Sequence, residues 1–192
     1  VISGFLITGI ILREVEEGTF SFTGFYARRI RRILPALFVM MAAVTVIFAW
    51  RDPLHLNELV RQVKAVVILA GNYAVRDLAG DYWGASAQAQ PLLHTWSLAV
   101  EEQFYMLWPA LIAIVTIGAR NVKARVAATM AIIVVLSLAM SILLVDSHPA
   151  WTFFGLHTRA WELGLGSFLS VTYLAVRQMS VRLRARISWS GL

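Results

Sequence analysis

Long uncharged apolar runs recur along this chain, and their lengths match the thickness of a lipid bilayer. A membrane-spanning helix needs about 20 mostly apolar residues. Residues 33–50 and 126–145 satisfy this requirement by themselves, with 18 and 20 uncharged residues. Residues 1–12, 103–119 and 163–176 form shorter runs that continue into neighbouring apolar sequence. The pattern predicts an all-α, polytopic transmembrane helix bundle with about five spanning segments.

Residues 65–75 form a weaker stretch, too short to cross a bilayer as a helix. It has 11 uncharged residues, and Gly71 and Asn72 interrupt it. Lys and Arg accumulate in cytoplasmic loops. The basic clusters of this chain all lie on one side of the membrane only if this stretch does not cross the bilayer. We therefore predict a short re-entrant or interfacial helix here. The expected cytoplasmic clusters lie in 13–32, 120–125 and 177–186, and the expected extracytoplasmic loops are 51–62, 80–93 and 146–158.

Composition supports the membrane interpretation and excludes several other classes. Charged residues make up 15% of the chain, against about 25% in soluble domains, and the mean hydropathy is +0.70. The net charge of +6 would suggest nucleic acid in a soluble protein. Here the basic residues border apolar runs, so we expect a lipid bilayer and no nucleic acid. There is no cysteine and no His-Glu-x-x-His motif, so we expect no metal and no bound cofactor.

Four arginines, at positions 28, 29, 31 and 32, precede the run 33–50. They are expected at the cytoplasmic mouth of a helix with Pro35 in its first turn, where the missing N–H costs little. Arg29 and Arg32 are three residues apart and so share a helix face. Guanidinium groups bind phosphates through forked hydrogen bonds. The alternative is a topology signal that anchors anionic headgroups, and the residues leave both interpretations open.

A polar stripe precedes and enters the run 103–119. At helical periodicity its members fall within about 80° of one another. Adjacent carboxylates beside an apolar run are costly unless they face a cavity or a partner. The stripe is therefore a candidate site, although the glutamates could instead pair with arginines and lock the bundle. No hydrolytic triad is inferred, because the spacing does not place the histidine between the other two members. The stripe comprises His94, Ser97, Glu101, Tyr105 and Trp108, with Glu102 beside it.

A third polar feature lies at the start of the last apolar run. Arg159 and Glu162 are separated by three positions, so a local ion pair is possible. Gly164, Gly166 and Ser167 would let a neighbouring helix approach closely. Whether the pair serves a site or only packing stays open.

Four stretches together resemble the acyltransferase-3 family, a family of bacterial integral-membrane O-acyltransferases. They are VISGFLI at 1–7, FYARRIRRILPAL at 25–37, LLHTWSLAVEEQFYMLWP at 92–109 and TRAWELGLG at 158–166. The segment DYWGAS at 81–86 is similar to the branch in which a periplasmic hydrolase-like domain often follows.

The resemblance implies a reaction across the inner (plasma) membrane by a multi-pass protein. An acyl group, in particular acetyl, would pass from cytoplasmic acyl-CoA to a hydroxyl of an envelope glycan or glycolipid, such as lipopolysaccharide or peptidoglycan. Acyl-CoA (acetyl-CoA) would be a substrate rather than a bound cofactor. Arg29 and Arg32 would hold its phosphates. Supporting catalytic roles would fall to Glu101, Glu102 and His94, and substrate binding to Ser97, Tyr105, Arg159 and Glu162.

The chain departs from the family pattern at its beginning. The resemblance implies that the proposed catalytic histidine lies on a helix ahead of VISGFLI. We therefore expect a truncated chain that is inactive alone. It would contain a partial membrane acyltransferase domain over 1–176 and a basic tail, or the start of another segment, over 177–192. The alternative function is a membrane transporter of a lipid-linked or small polar solute, with the acidic stripe lining its path.

Overall fold

The computed structural model describes residues 1–79 and 90–178. All regular secondary structure in these ranges is helical, as predicted. The motif at 81–86 and the tail beyond 178 lie outside the described residues. The α-helices are α1 Ile2–Glu16, α2 Phe22–Arg51, α3 Leu56–Val67, α4 Gly71–Ala79, α5 Trp96–Thr116, α6 Val122–Leu144, α7 Pro149–Phe154 and α8 Leu156–Gln178, and 3₁₀ turns occupy Pro53–His55 and Leu93–Thr95.

Three helical segments in the described ranges are long and apolar enough to cross a membrane: Phe22–Arg51, Leu93–Thr116 and Val122–Leu144. Their outward faces carry large apolar side chains, such as Val39 on α2 and Leu143 on α6, which are 72% and 77% exposed. Continuous apolar faces of this kind are rare on soluble proteins and suit contact with lipid. The prediction of an all-α membrane bundle is therefore confirmed.

Helix α2 begins 11 residues before the run that predicted it. The Ser21 hydroxyl caps the helix by accepting a hydrogen bond from the Gly24 N–H at 3.2 Å. The four arginines consequently lie within the helix, which is consistent with the high helix propensity of arginine. Placing Pro35 in the first turn was wrong, since it lies in the helix interior. There its missing N–H leaves the Arg31 carbonyl without the usual helical donor.

The stretch 65–75 was predicted as one short helix, but it holds the end of α3, a turn and the start of α4. Helices α3 and α4 are separated by a turn in which Leu69 adopts a left-handed φ of 58°. Helix α3 packs back along α2, with Leu59 in one cluster with Leu37. Helix α4 then returns beside α5, where Val75 packs against Trp96. The two helices form a hairpin rather than a single pass, as the charge pattern required.

The basic segments gather at one end of the bundle. Two ion pairs join the end of α1 to the starts of α2 and α6: Glu14 with Arg28 at 2.7 Å and Glu16 with Lys123 at 2.9 Å. Helix α8 runs antiparallel to α6, because the Trp161 N–H bonds the Ser137 hydroxyl while Gly164 faces Val134. The end of α8 therefore reaches the same end of the bundle.

Small residues let α1 and α8 touch through their backbones. A Cβ added at Gly4 would overlap the Leu163 carbonyl, and one at Gly166 would overlap the Val1 carbonyl. The Ser167 hydroxyl lies within hydrogen-bond distance of the Gly4 carbonyl, at 3.3 Å. Close approach at Gly166 and Ser167 was predicted, and it fixes α1 beside the polar residues of α5.

Candidate functional site

A partly buried ion pair joins α2 to α5. Arg29 donates to Glu102 from Nε at 3.0 Å to each carboxylate oxygen and from Nη2 at 2.7 Å. The side chains are only 15% and 12% exposed. The guanidinium carbon lies 3.3 Å from the centre of the Tyr105 ring, so the cation is held between a carboxylate and an aromatic face.

The neighbouring carboxylate, Glu101, has different partners. Ser3 donates a hydrogen bond to its Oε1 at 3.2 Å, and the Tyr105 hydroxyl donates to its Oε2 at 3.4 Å. No cation of the described residues pairs with it. Two hydroxyl donors leave acceptor positions of the carboxylate open to a further donor. Glu102 is thus neutralised by an arginine, whereas the partners of Glu101 among the described residues are hydroxyl groups.

Two of the cavities beside α5 lie on opposite sides of the helix and contain the polar residues described above. The first, of about 220 Å³, lies between α2 and α5, and Arg29, Glu102 and Tyr105 line it together with mostly aliphatic side chains. The second, of about 100 Å³, lies between α5 and α8 and is lined by Ser97, Glu101, Arg159 and Glu162 among others. We call them the apolar cavity and the polar pocket.

Arg159 and Glu162 form the predicted ion pair, with N–O distances of 2.8 and 3.0 Å. Their side chains are 27% and 35% exposed, so solvent weakens the pair. The guanidinium carbon also lies 5.0 Å from the centre of the Trp96 ring. The pair therefore forms one wall of the polar pocket.

The predicted stripe does not line one cavity. His94 is exposed and lies in a 3₁₀ turn before α5, so its helical placement was wrong. Thr95 stabilises this turn by donating from its hydroxyl to the Leu92 carbonyl at 2.7 Å. Trp108 is buried, and its Nε1 donates to the Thr8 hydroxyl at 2.7 Å, which is a packing contact.

The two arginines singled out from the sequence differ in environment. Arg29 is partly buried and paired, whereas Arg32 is exposed and makes no hydrogen bond or ion pair within the described ranges. Its guanidinium group is therefore available to an anion at the basic end of α2.

Sequence reasoning missed the polar contacts that fix the hairpin. Gln103 donates from Nε2 to the Leu69 carbonyl at 2.7 Å and to Asn72 Oδ1 at 2.8 Å. Asn72 is fully buried and donates to the Phe154 carbonyl at 3.0 Å. Leu69 lines the apolar cavity, so these bonds set one of its walls. The signal was present as polar side chains inside apolar runs. Ser3 gave no such signal.

The structure thus defines a class: a polytopic membrane helix bundle with polar residues clustered between two cavities. The chain matches the sequence model of a family described as an acyltransferase domain over residues 1–192. It belongs to that family, the acyltransferase-3 family, as the sequence motifs indicated.

Similar proteins include two named O-acetyltransferases. YrhL of Bacillus subtilis, a putative peptidoglycan O-acetyltransferase, is 30% identical over 97% of this chain and 30% of its own length. The peptidoglycan O-acetyltransferase OatA of Listeria monocytogenes is 30% identical over 90% of this chain and 28% of its own. An uncharacterized protein of Haemophilus influenzae is 40% identical over 64% of this chain and 50% of its own length. The chain thus spans half or less of the length of these relatives. No solved structure matches it significantly.

Proposed function

We propose that the protein containing this chain is a membrane O-acyltransferase that moves an acetyl group from cytoplasmic acetyl-CoA to a hydroxyl of an envelope glycan. The family membership supports the reaction class. The names of two relatives favour peptidoglycan as the acceptor over the lipopolysaccharide considered from the sequence. The protein would act in the inner (plasma) membrane.

The observation that carries this proposal is the Arg29–Glu102 pair in the wall of the apolar cavity. A cation and a carboxylate at membrane depth are costly to keep unless they serve a site or a partner. The cavity places them beside a space lined mostly by aliphatic side chains, which suits the acyl and thioester end of a donor better than its phosphates.

The phosphates would be bound outside the apolar cavity, within the basic segment at the start of α2. Arg32 is exposed there, and its forked donors match a phosphate. Arg29, three residues nearer the start of the helix but partly buried, would contribute from the cavity wall. This division keeps both arginines in donor binding but gives them different parts of the donor.

The transfer itself is a substitution at the thioester carbon. The acceptor hydroxyl oxygen forms the new ester bond, the C–S bond breaks, and CoA leaves as a thiol with the proton that the hydroxyl lost. Glu101 would orient or charge-balance the histidine base that the family resemblance implies. Glu102 would hold Arg29, and His94, outside both cavities, would have at most an indirect role.

Transfer of radiolabelled acetyl tests the proposal in the full-length protein reconstituted into vesicles. We expect label from acetyl-CoA to appear on soluble peptidoglycan strands, and we expect Arg29→Ala with Arg32→Ala to lose most of this transfer. Arg120→Ala is the matched control, because it removes an exposed arginine from the same end of the bundle.

Two results would contradict the assignments. Unchanged transfer in the double variant would remove the donor site from α2. A wild-type protein that moves a solute across the vesicle without consuming acetyl-CoA would favour the transporter.

A further inference from the structure

The two cavities beside α5 differ in chemistry as well as in position. Four of the eight side chains that line the polar pocket are Ser97, Glu101, Arg159 and Glu162. Six of the eleven that line the apolar cavity are isoleucine or leucine, and a seventh is methionine. A polyhydroxyl compound loses its water when it binds, so it needs replacement hydrogen bonds at each buried hydroxyl. Of these two cavities, the polar pocket offers the higher share of donors and acceptors.

The groups of the polar pocket suit one edge of a sugar. Ser97 can donate and accept, Glu101 accepts, and Arg159 donates. The Trp96 ring lies in the same wall, where it packs against Phe153 and Phe154 and lies near the Arg159 guanidinium. The pocket, of about 100 Å³, thus presents donors and acceptors to the hydroxyl-bearing edge of a ligand.

The pocket extends along α5 from Glu101 to Ser97, away from the basic end of the bundle. Tyr26, near the start of α2, donates to the Met106 carbonyl at 2.8 Å, so α2 and α5 run antiparallel past the Arg29–Glu102 pair. Ser97 lies at the opposite end of α5, beyond Glu101. The Ser97 side of the polar pocket is thus farther from the basic end, which carries Arg28 and Lys123, than Glu101 is.

We propose that the polar pocket is the acceptor subsite and binds one hydroxyl-bearing edge of a carbohydrate, while the apolar cavity on the other side of α5 receives the donor. This inference rests on the proposed acyltransferase function. It assigns Ser97, Arg159 and Glu162 to acceptor binding, and it separates them from Arg29 and Glu102. Tyr105 lines the apolar cavity and donates to Glu101 of the polar pocket, so the two cavities adjoin at this side chain, where the donor carbonyl and the acceptor hydroxyl would meet.

The test is a pair of kinetic titrations on the full-length protein, with soluble peptidoglycan strands and acetyl-CoA each varied in turn. We expect Ser97→Ala and Glu162→Gln to raise the KM for the glycan about tenfold, the loss typical of a missing hydrogen bond, with the KM for acetyl-CoA within about twofold of wild type. Ile33→Phe narrows the apolar cavity. It should raise the KM for acetyl-CoA and leave the KM for the glycan within about twofold of wild type.

Glu16→Gln is the control, because it breaks another ion pair, with Lys123, that lies outside both cavities, and neither KM should change. If Glu162→Gln does not accumulate in the membrane, Ser97→Ala at an exposed position carries the comparison. In Ser97→Ala and Glu162→Gln, a rise in the KM for acetyl-CoA, or no change in either KM, would overturn the acceptor assignment. Failure of the wild-type protein to consume acetyl-CoA would instead overturn the proposed function.

Discussion

Breaking the Arg29–Glu102 pair should destabilise the bundle far more than breaking a surface pair of the same chemistry. Both side chains of this pair are at most 15% exposed. Removing one partner of a buried pair typically costs about 3–5 kcal/mol, because an uncompensated charge remains. Removing both partners together leaves no such charge, so the double variant should be more stable than the sum of the single variants predicts.

A double-mutant cycle isolates this coupling. The variants are Arg29→Met, Glu102→Leu and the two combined, and we expect a coupling free energy of about 3 kcal/mol. The Tyr105 ring contributes about 0.5–2 kcal/mol to the loss in the arginine variants. This contribution largely cancels in the cycle because it is absent from both Arg29 variants. Unfolding in detergent micelles, followed by tryptophan fluorescence, measures each free energy.

The matched cycle uses Arg28→Met and Glu14→Leu. The Arg28 side chain is 54% exposed and Glu14 is 18% exposed, so we expect a coupling below about 1 kcal/mol. If the two cycles gave the same coupling, the claim that burial makes the Arg29–Glu102 pair important to the bundle would be refuted.

Two further predictions concern the packing of α1 and the end of α2. Gly4→Val should destabilise the protein by about 1–3 kcal/mol in the same unfolding assay, because the side chain would overlap the Leu163 carbonyl in a tightly packed contact. Gly24→Ala is the control and should not destabilise the protein in this way, because a Cβ at that position makes only ordinary contacts. His55, outside the spans, has a pKa raised above 6.5 by its hydrogen bond to Asp52 and then by that residue's charge. Its stabilisation is therefore complete below about pH 6.5 and is lost as pH rises through the folded pKa. An NMR titration of the imidazole should show this raised pKa in the wild type and a return towards 6.5 in Asp52→Asn; an equally raised pKa in that variant would exclude the pairing as its cause.

The helices were predictable where apolar length decides the structure. Residues 126–145 became α6 with shifts of only a few residues, since a long uncharged run in a membrane has no alternative to helix. The start of α2 was not predictable from apolar length, because arginines continue a helix as readily as leucines do. The hairpin was missed as well, because a buried network around Asn72 and the left-handed Leu69 depend on helices distant in sequence.

The candidate site was predictable as a set of residues but not as an arrangement, and the helix itself explains the difference. Adjacent residues on an α-helix point about 100° apart. Glu101 and Glu102 must therefore face different neighbours once α5 is packed on both sides. One meets the hydroxyl of Ser3 and the other the guanidinium of Arg29. Two adjacent carboxylates in a packed membrane helix therefore act as two separate groups. The sequence prediction grouped them because it assigned a range of directions of about 80° to a single site.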